Sequence, residues 1–422
     1  MMTQNPKTAI LLAAATLCVS LTGCGTASGT NEANNIASQL AQQTLDESAE
    51  ADIMMAQTAF SVNLLREKVR NDPDGNVLIS PYSVMQALAL TANGTDGNTR
   101  MEIEQAFGGV SLDSLNVAMN MLRESLVSDQ QCTFHSANAI WVNRNADVKI
   151  QNNFQNIAKQ IYDANVTEDA FNDFAVNKIN KWFKAQTDGM IPEMLSEPMS
   201  ETAVMYLCNA ASMDAVWREA FDGLEKYTFY AHNMRPNSFE QEVDMMQGAG
   251  DEQYLSDENA DGFIKSYADG KYAFVAIMPH DGMTPQAYLE QLQPDALNQM
   301  LCNPKTVDLK LWVPQFSTSY EAHLIPELQA MGISDVFDLG QADFSKLAEH
   351  SDGLFVSEVM QKTQIAVSMT GTKAAAGTDA VVVSSIEEDT VFLTMMRPFI
   401  YMIVETDTMM PLFAGVMNEI PQ

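Results

Sequence analysis

Apolar residues recur at three- and four-residue intervals early in the chain, at Ile53, Ala56, Phe60 and Leu64. This spacing predicts a helix that runs to about Arg70, where the run Asn71-Asp-Pro-Asp-Gly75 forces a turn. A second, apolar helix is predicted to end near Gly94. A capping box at Thr99-Arg-Met-Glu102 predicts the start of a third helix, which ends at Gly108-Gly109. Two further helices are predicted, over roughly 112–127 and 154–162.

The pattern changes in the stretch that runs from Gly371 to Ser385, Gly-Thr-Lys-Ala-Ala-Ala-Gly-Thr-Asp-Ala-Val-Val-Val-Ser-Ser. Alternate residues from Thr372 to Ser384 are all small or apolar, and both charges, Lys373 and Asp379, fall in the other register. A period of two with charge on one side is typical of a strand that buries one face. The first half is rich in alanine and glycine, which are poor strand formers. The stretch therefore suits a strand in one state and an exposed loop in another.

Ordered motifs along the chain resemble those of the serpin family, from about Phe60 to Asn418. They include Asn76-Val-Leu-Ile-Ser-Pro-Tyr-Ser83, Asn138-Ala139, Ile179-Asn-Lys-Trp182, Leu207-Cys-Asn-Ala210, Arg397-Pro-Phe-Ile-Tyr-Met-Ile403 and Leu412-Phe-Ala-Gly-Val416. The resemblance implies an α+β fold, a single domain with about nine helices around three β-sheets and an exposed reactive-centre loop.

The resemblance also implies site residues. The hinge and inserting loop of the family match Gly371, Thr372, Lys373, Ala374, Ala375, Ala376, Gly377 and Thr378. The region where the family's central sheet opens matches Ser80, Ser83, Asn209 and Trp217. A protease would cut the loop, and the freed half would enter the sheet as a new strand, an event the family uses to release stored strain.

Two counts place the scissile bond differently. Counting fourteen residues forward from Gly371 places the scissile bond between Ser385 and Ile386. Counting eleven residues back from Pro398 places Glu387 before the bond instead. Small residues at 383–385 favour an elastase-like or subtilisin-like target. Glu387 in the specificity pocket would favour a glutamate-preferring protease instead.

Three positions depart from the family pattern. The family usually carries glutamate where Met369 and Lys373 stand, and often histidine where Gln361 stands. Lys373 faces outward by the period of two, so we expect it to be tolerated. Met369 and Gln361 bear on how readily the sheet opens.

Composition limits the partners. The chain has 422 residues, 23 basic and 55 acidic, with a formal net charge of −32. Nucleic acid and heparin-like polyanions are not expected to bind, because both need clustered lysine and arginine. The expected partner is a serine or cysteine protease that forms a covalent acyl complex, and the chain is expected to be a monomer.

The N-terminus predicts export and a lipid anchor. Lys7 precedes an apolar run, 9–21, which is short for a membrane span and suits a signal peptide. Leu21-Thr-Gly-Cys24 resembles a bacterial lipobox, in which Cys24 is acylated and residues 1–23 are removed. Residues 24–50 are polar and predict a tether, which leaves 51–422 as the serpin domain. We expect the domain to be periplasmic or extracellular, held on a bacterial outer membrane or cell surface.

Common enzyme signatures are absent from the sequence, including Gly-x-Ser-x-Gly, His-Glu-x-x-His, a phosphate loop and Cys-x-x-Cys. The five histidines have no metal-ligand spacing, and no cofactor or metal is expected. Cys132 and Cys208 lie in apolar runs and are expected to be buried, while Cys302 is left undecided.

The leading prediction is a suicide-substrate inhibitor of serine, or alternatively cysteine, endopeptidases. An alternative is a non-inhibitory binding or structural protein with the serpin fold at the cell surface. The absence of charge at the alternate positions from Thr372 to Ser384, which would face inward, argues against this alternative. An unrelated surface enzyme is disfavoured by the missing catalytic signatures.

Overall fold

The computed structural model describes residues 43–126, 131–200, 202–234, 240–349, 353–372 and 390–421. Nine α-helices lie in these ranges. They are α1 Glu47–Asn71, α2 Pro81–Gly94, α3 Gly97–Ala106, α4 Leu112–Ser125, α5 Asn152–Gln160, α6 Asp173–Gln186, α7 Pro285–Gln291, α8 Pro294–Cys302 and α9 Ile325–Ala330.

Seventeen strands in the same ranges form three sheets, which confirms the predicted α+β fold class. The strands are β1 Val77–Ile79, β2 Cys132–Asn143, β3 Lys149–Ile150, β4 Asn165–Asp169, β5 Met205–Val216, β6 Gly223–Tyr230, β7 Glu240–Ser256, β8 Ala260–Ser266, β9 Tyr272–Pro279, β10 Lys305–Pro314, β11 Phe316–His323, β12 Ala348–Glu349, β13 Glu358–Ser368, β14 Gly371–Thr372, β15 Val391–Thr394, β16 Phe399–Glu405 and β17 Pro411–Met417.

Side-chain caps set the starts of α1 and α3, and the cap of α3 is not the predicted one. The Asp46 carboxylate accepts from the Ala49 N–H at 2.8 Å, so α1 begins at Glu47, six residues before the first apolar residue of the pattern. The predicted capping box at Thr99 is wrong, because Asp96, three residues earlier, caps α3. Thr99 lies inside the helix and accepts a hydrogen bond from the Asp343 N–H instead.

Two large sheets pack on either side of α2. The six-stranded sheet has the order β11-β13-β14-β5-β2-β4, and the nine-stranded sheet runs β1-β17-β16-β9-β8-β7-β10-β15, with β6 paired to β7. Almost every residue of α2 is buried, because the helix contacts β17 on one side and β2 and β5 on the other. Strands β3 and β12 form the third sheet, which has two strands of two residues each.

A second hydrophobic cluster covers the outer face of the six-stranded sheet. Helix α6 and the segment that follows it, up to Ala203, pack Ile179, Phe183 and Met194 against Trp141 and the Cys208 side of β5. The outer face of the sheet near this helix is therefore closed to solvent. In the described ranges, no helix combines the length and apolarity that a bilayer crossing requires.

Candidate functional site

The hinge lies where β13 ends and the chain folds back on itself. After Ser368 a two-residue turn leads into β14, whose Gly371 and Thr372 pair with β13 on one side and with β5 on the other. The Ser368 hydroxyl donates to the Gly371 carbonyl at 2.7 Å. The backbone N–H of Trp217 donates to the Thr370 carbonyl at 3.0 Å. The hinge is thus held as a short central strand.

Gly371 is required at its position because no side chain fits there. A Cβ atom on this residue would lie 2.0 Å from the Ala215 carbonyl oxygen and 2.6 Å from the Val216 Cα. Its φ of +155° is also one that other residues rarely adopt. The close approach lets β14 fit against β5.

Thr372 is fully buried, with its hydroxyl oxygen 2.6 Å from the Tyr267 hydroxyl oxygen. Tyr267 stacks on Trp217 with ring centroids 4.4 Å apart, and the Trp217 indole N–H donates to the Ser368 carbonyl at 2.8 Å. Burial raises the pKa of the Tyr267 phenol well above its usual range, so it stays protonated and can donate. The Thr372 side chain therefore already occupies a buried site inside the sheet, beside Tyr267 and Trp217. We call this site the hinge seat.

Below the hinge the two flanking strands pair directly with each other. β13 and β5 run parallel, from Glu358 opposite Tyr206 to Gln364 opposite Ser212. They part above this point, where β14 lies between them. A strand that continued β14 downward would have to separate this pairing.

A buried polar network crosses the β13–β5 junction. Gln361 on β13 accepts from the Ser80 N–H at 2.8 Å, and its amide nitrogen donates to the Ser80 carbonyl at 3.0 Å and to the Asn209 amide oxygen at 2.7 Å. Asn209 on β5 donates to the Ser83 carbonyl at 3.1 Å and also to Asn138. Because Gln361 and Asn209 lie opposite each other in the pairing, these bonds join the two strands that a further strand between them would have to part.

The α2 N-terminus anchors this network to the rest of the molecule. The Ser80 hydroxyl donates to the Leu412 carbonyl on β17 at 2.6 Å. The Ser83 hydroxyl lies 2.9 Å from the Ser136 hydroxyl on β2. Both serines are buried. The network therefore links both large sheets through the first turn of α2.

The sequence-predicted site residues fall in two places. Ser80, Ser83 and Asn209 come together in the network below the hinge, whereas Trp217 lies at the hinge itself. Residues 373–378, Ser385, Ile386 and Cys24 lie outside the described residues. The structure therefore separates the predicted sheet-opening region into a hinge seat and a strand junction.

Sequence reasoning missed the role of Tyr267 and noted Gln361 only as a departure. Tyr267 is 105 positions before its partner Thr372, and Gln361 is 281 positions after Ser80. No local pattern marks either residue, because their partners are brought near only by the packing of the sheets. Lys265 lies 4.9 Å above the ring of Phe221, which in turn packs edge-on against Trp217, and it pairs with Glu252.

Other candidate chemistry is dispersed. Cys132 and Cys208 are buried, as predicted, and Cys302 is exposed. Burial raises the pKa of the Cys208 thiol well above its usual value, which keeps it unreactive. Across the ranges that the structure describes, no three His, Cys, Asp or Glu side chains converge as metal ligands would.

The short strand β14 thus lies between the ends of β13 and β5, which pair directly below it. A family model described as "Serpin (serine protease inhibitor)" matches residues 55–420. The chain belongs to the serpin family, whose members are protease inhibitors rather than enzymes.

Relatives agree over nearly the whole domain. Iripin-5 of Ixodes ricinus is 27% identical over 383 residues, covering 88% of this chain and 95% of the relative. Plasminogen activator inhibitor 1 of Sus scrofa is 27% identical over 374 residues, covering 86% and 91%. The native-state crystal structure of the thermophilic serpin tengpin matches with a TM-score of 0.83 at 31% identity, covering 90% of this chain and 96% of that one. The latent-state structure of tengpin matches less closely, with a TM-score of 0.76 at 30% identity, covering 90% and 100%.

Proposed function

We propose that this chain is a suicide-substrate inhibitor of serine endopeptidases of the elastase-like or subtilisin-like kind, or alternatively of cysteine endopeptidases. The catalytic oxygen or sulfur of the protease attacks the scissile carbonyl carbon in the loop 373–389. The amide C–N bond breaks, the amine leaves with a proton, and an acyl-enzyme remains. The freed N-terminal half of the loop then enters the six-stranded sheet and carries the protease with it.

The observation that carries this proposal is β14, because it gives insertion a starting point and a register. Thr372 faces both Val367 on β13 and Ala215 on β5. If the chain continues in this register, residue 382 reaches the level of Met205, where β5 begins, and residue 381 reaches the level of Glu358, where β13 begins. Even-numbered side chains then follow Thr372 into the core, and from Ala374 to Ser384 these are uncharged and small or apolar.

The energetics favour insertion only after cleavage. Beyond Thr372, which already pairs within β14, twelve residues, 373–384, would extend over roughly 40 Å at about 3.3 Å each. New backbone hydrogen bonds at about 0.5–1.5 kcal/mol each give a driving force on the order of 10 kcal/mol. Both ends of the uncut loop are tied, so the intact chain cannot gain this energy. The intact chain is then held in a kinetic trap.

The experiment that tests the proposal mixes the mature chain, with Cys24→Ser to prevent lipid attachment, with pancreatic elastase, subtilisin or a glutamate-specific endopeptidase. Denaturing electrophoresis and mass analysis of the released C-terminal peptide follow. We expect a band that survives denaturation at the summed mass of the two proteins. A peptide that begins at Ile386 identifies Ser385 as the residue before the cut, and one that begins at Glu388 identifies Glu387.

Cleavage without any surviving complex, across all of these serine proteases and a papain-like cysteine protease, would reject the inhibitor function. It would favour the alternative, a non-inhibitory binding or structural protein at the cell surface. A protease-free control that shows the same band would identify it as an aggregate of the chain.

We also propose that the chain is exported and anchored by acyl chains on Cys24 to a bacterial membrane, with its domain periplasmic or extracellular. The lipobox-like run Leu21-Thr-Gly-Cys24 supports this. Lipidation would anchor the protein without a membrane-spanning segment. Metabolic labelling with a fatty-acid analogue should mark the chain, and the label should be lost in Cys24→Ser but kept in Cys18→Ser. Equal labelling of the two variants would contradict the anchor site.

A further inference from the structure

An exposed aromatic pair lies on the nine-stranded sheet, close in sequence to the C-terminal end of the loop. The Phe392 ring stacks on the Trp312 ring with centroids 6.4 Å apart and planes 18° from parallel. Phe392 is 58% exposed, although it is a large apolar side chain on a strand. The Trp312 indole N–H donates to the Glu225 carboxylate at 3.2 Å. The two rings are thus held in place, with Trp312 half-buried and Phe392 largely uncovered within the described part of the chain.

Carboxylates surround this pair. Asp308 and Asp251 lie opposite each other on β10 and β7, and Asp308 accepts from the Thr390 hydroxyl at 2.6 Å. Glu225 adds a third acidic group, and Lys310, the register partner of Phe392, is the basic residue among them. We call these residues, with Trp312 and Phe392, the Trp312–Phe392 patch. Its rim complements a basic surface, and its rings suit arginine or an apolar side chain.

The position of the patch, close along the chain to the scissile bond, points to the target protease as its binding partner. Strand β15, which carries Phe392, begins two residues after the loop 373–389. The four residue steps from Glu387 to Val391 span at most about 14 Å. A protease of ~230 residues has a radius of gyration of about 17 Å, so a protease bound at the scissile bond extends over β15. The patch therefore lies within reach of a protease that is bound at residues 385–387.

We propose that the Trp312–Phe392 patch is a second docking surface for the target protease, one that binds a basic region outside its active-site cleft. This proposal rests on the proposed function, because it assumes that a protease engages the loop. Aromatic side chains dominate the energetics of protein interfaces, and Phe392 offers such an anchor. The patch would raise affinity before the loop is cut and would select proteases with basic surfaces.

The test measures binding without cleavage. Pancreatic elastase, subtilisin and a glutamate-specific endopeptidase, each with its catalytic nucleophile replaced by alanine, are titrated against wild type, Phe392→Ala, Phe392→Tyr and Phe174→Ala. Phe174 is a matched control, since it is 85% exposed but lies on α6, which packs on the other large sheet. We expect Phe392→Ala to weaken binding by roughly tenfold, as truncation of an interface anchor does, while Phe392→Tyr and Phe174→Ala leave it unchanged.

The outcomes separate the two proposals. Binding that is equal in wild type and Phe392→Ala, or absent with every inactive protease, overturns the docking surface. Failure of the active proteases to form a covalent complex overturns the inhibitor function, whatever the inactive proteases show. Sedimentation of the chain alone tests a second copy as occupant, and a dimer that dissociates in Phe392→Ala would also overturn the assignment.

Discussion

Within the six-stranded sheet, the Gln361 side chain joins β13 to β5 and to the start of α2, at the junction that the proposed insertion would open. Its amide contacts the backbone of Ser80 and the side chain of Asn209, and all three residues are buried. An amide fills this role without a titratable proton. Opening of the sheet at this point should therefore not depend on protonation in this network.

We expect the Gln361→His variant to lose stability in acid. Burial disfavours the charged imidazole, so its pKa in the folded chain lies below the value of about 6.5 that it has when unfolded. The unfolded chain then binds more protons below that pH, and the free energy of unfolding falls by up to about 1.4 kcal/mol per pH unit. Thermal unfolding at about pH 8 and about pH 5.5 measures the loss, relative to wild type.

Gln364→His is the matched control, because Gln364 lies on the outer face of the same strand and is only half-buried. A histidine there stays hydrated and should add little pH dependence. If both variants lost the same stability in acid, the loss would not come from the buried network.

At the scale of elements, much of the fold follows from the sequence and the rest depends on tertiary contacts. Apolar spacing predicted α1, and the glycines at 108 and 109 ended α3 as expected, each with a positive φ. Local patterns could not reveal the hinge seat, since Tyr267 meets Thr372 only after two distant strands pack. The period of two indicated which side of the hinge could face a core. It could not show that Thr372 is already buried in the sheet, because this depends on contacts with residues that are distant in sequence.

The burial of Thr372 in the hinge seat leads to a prediction about β14. Thr372→Arg would place a charge in a fully buried site beside Tyr267 that offers no acidic partner in the described contacts. Burying an unpaired charge costs several kcal/mol, so the first residue of the new strand should be excluded and insertion should stall. We expect the protease to cut the loop at the wild-type rate while the yield of covalent complex falls at least roughly tenfold, which corresponds to about 1.4 kcal/mol.

Lys373→Glu is the companion variant, since residue 373 belongs to the outward register of the sequence pattern. It changes a charge at the adjacent position, and we expect complex formation near the wild-type yield. A Thr372→Arg chain that still trapped protease as well as Lys373→Glu would refute the inward register. Gel densitometry of cleaved chain against complex gives both yields in one experiment.

At the scale of the whole molecule, strands β13 and β5 of the six-stranded sheet pair directly over seven residue pairs and are separated by β14 beyond them. Pairing from Glu358–Tyr206 to Gln364–Ser212 keeps β13 and β5 together, while β14 holds them apart above. If the freed loop enters this junction, as we propose, the sheet gains a full strand and becomes more stable than in the intact chain. The free energy released on insertion should appear as stability of the cleaved molecule.

The most direct measurement is the thermal unfolding of the intact chain and of the same chain after its loop has been cut by a trace of protease. Insertion worth on the order of 10 kcal/mol should raise Tm by on the order of 10–20 °C. Mass analysis must show that the cut lies between 383 and 389, so that the full inserting segment is freed. An unchanged or lower Tm after such a cut would show that the loop does not enter the sheet, and would contradict the account.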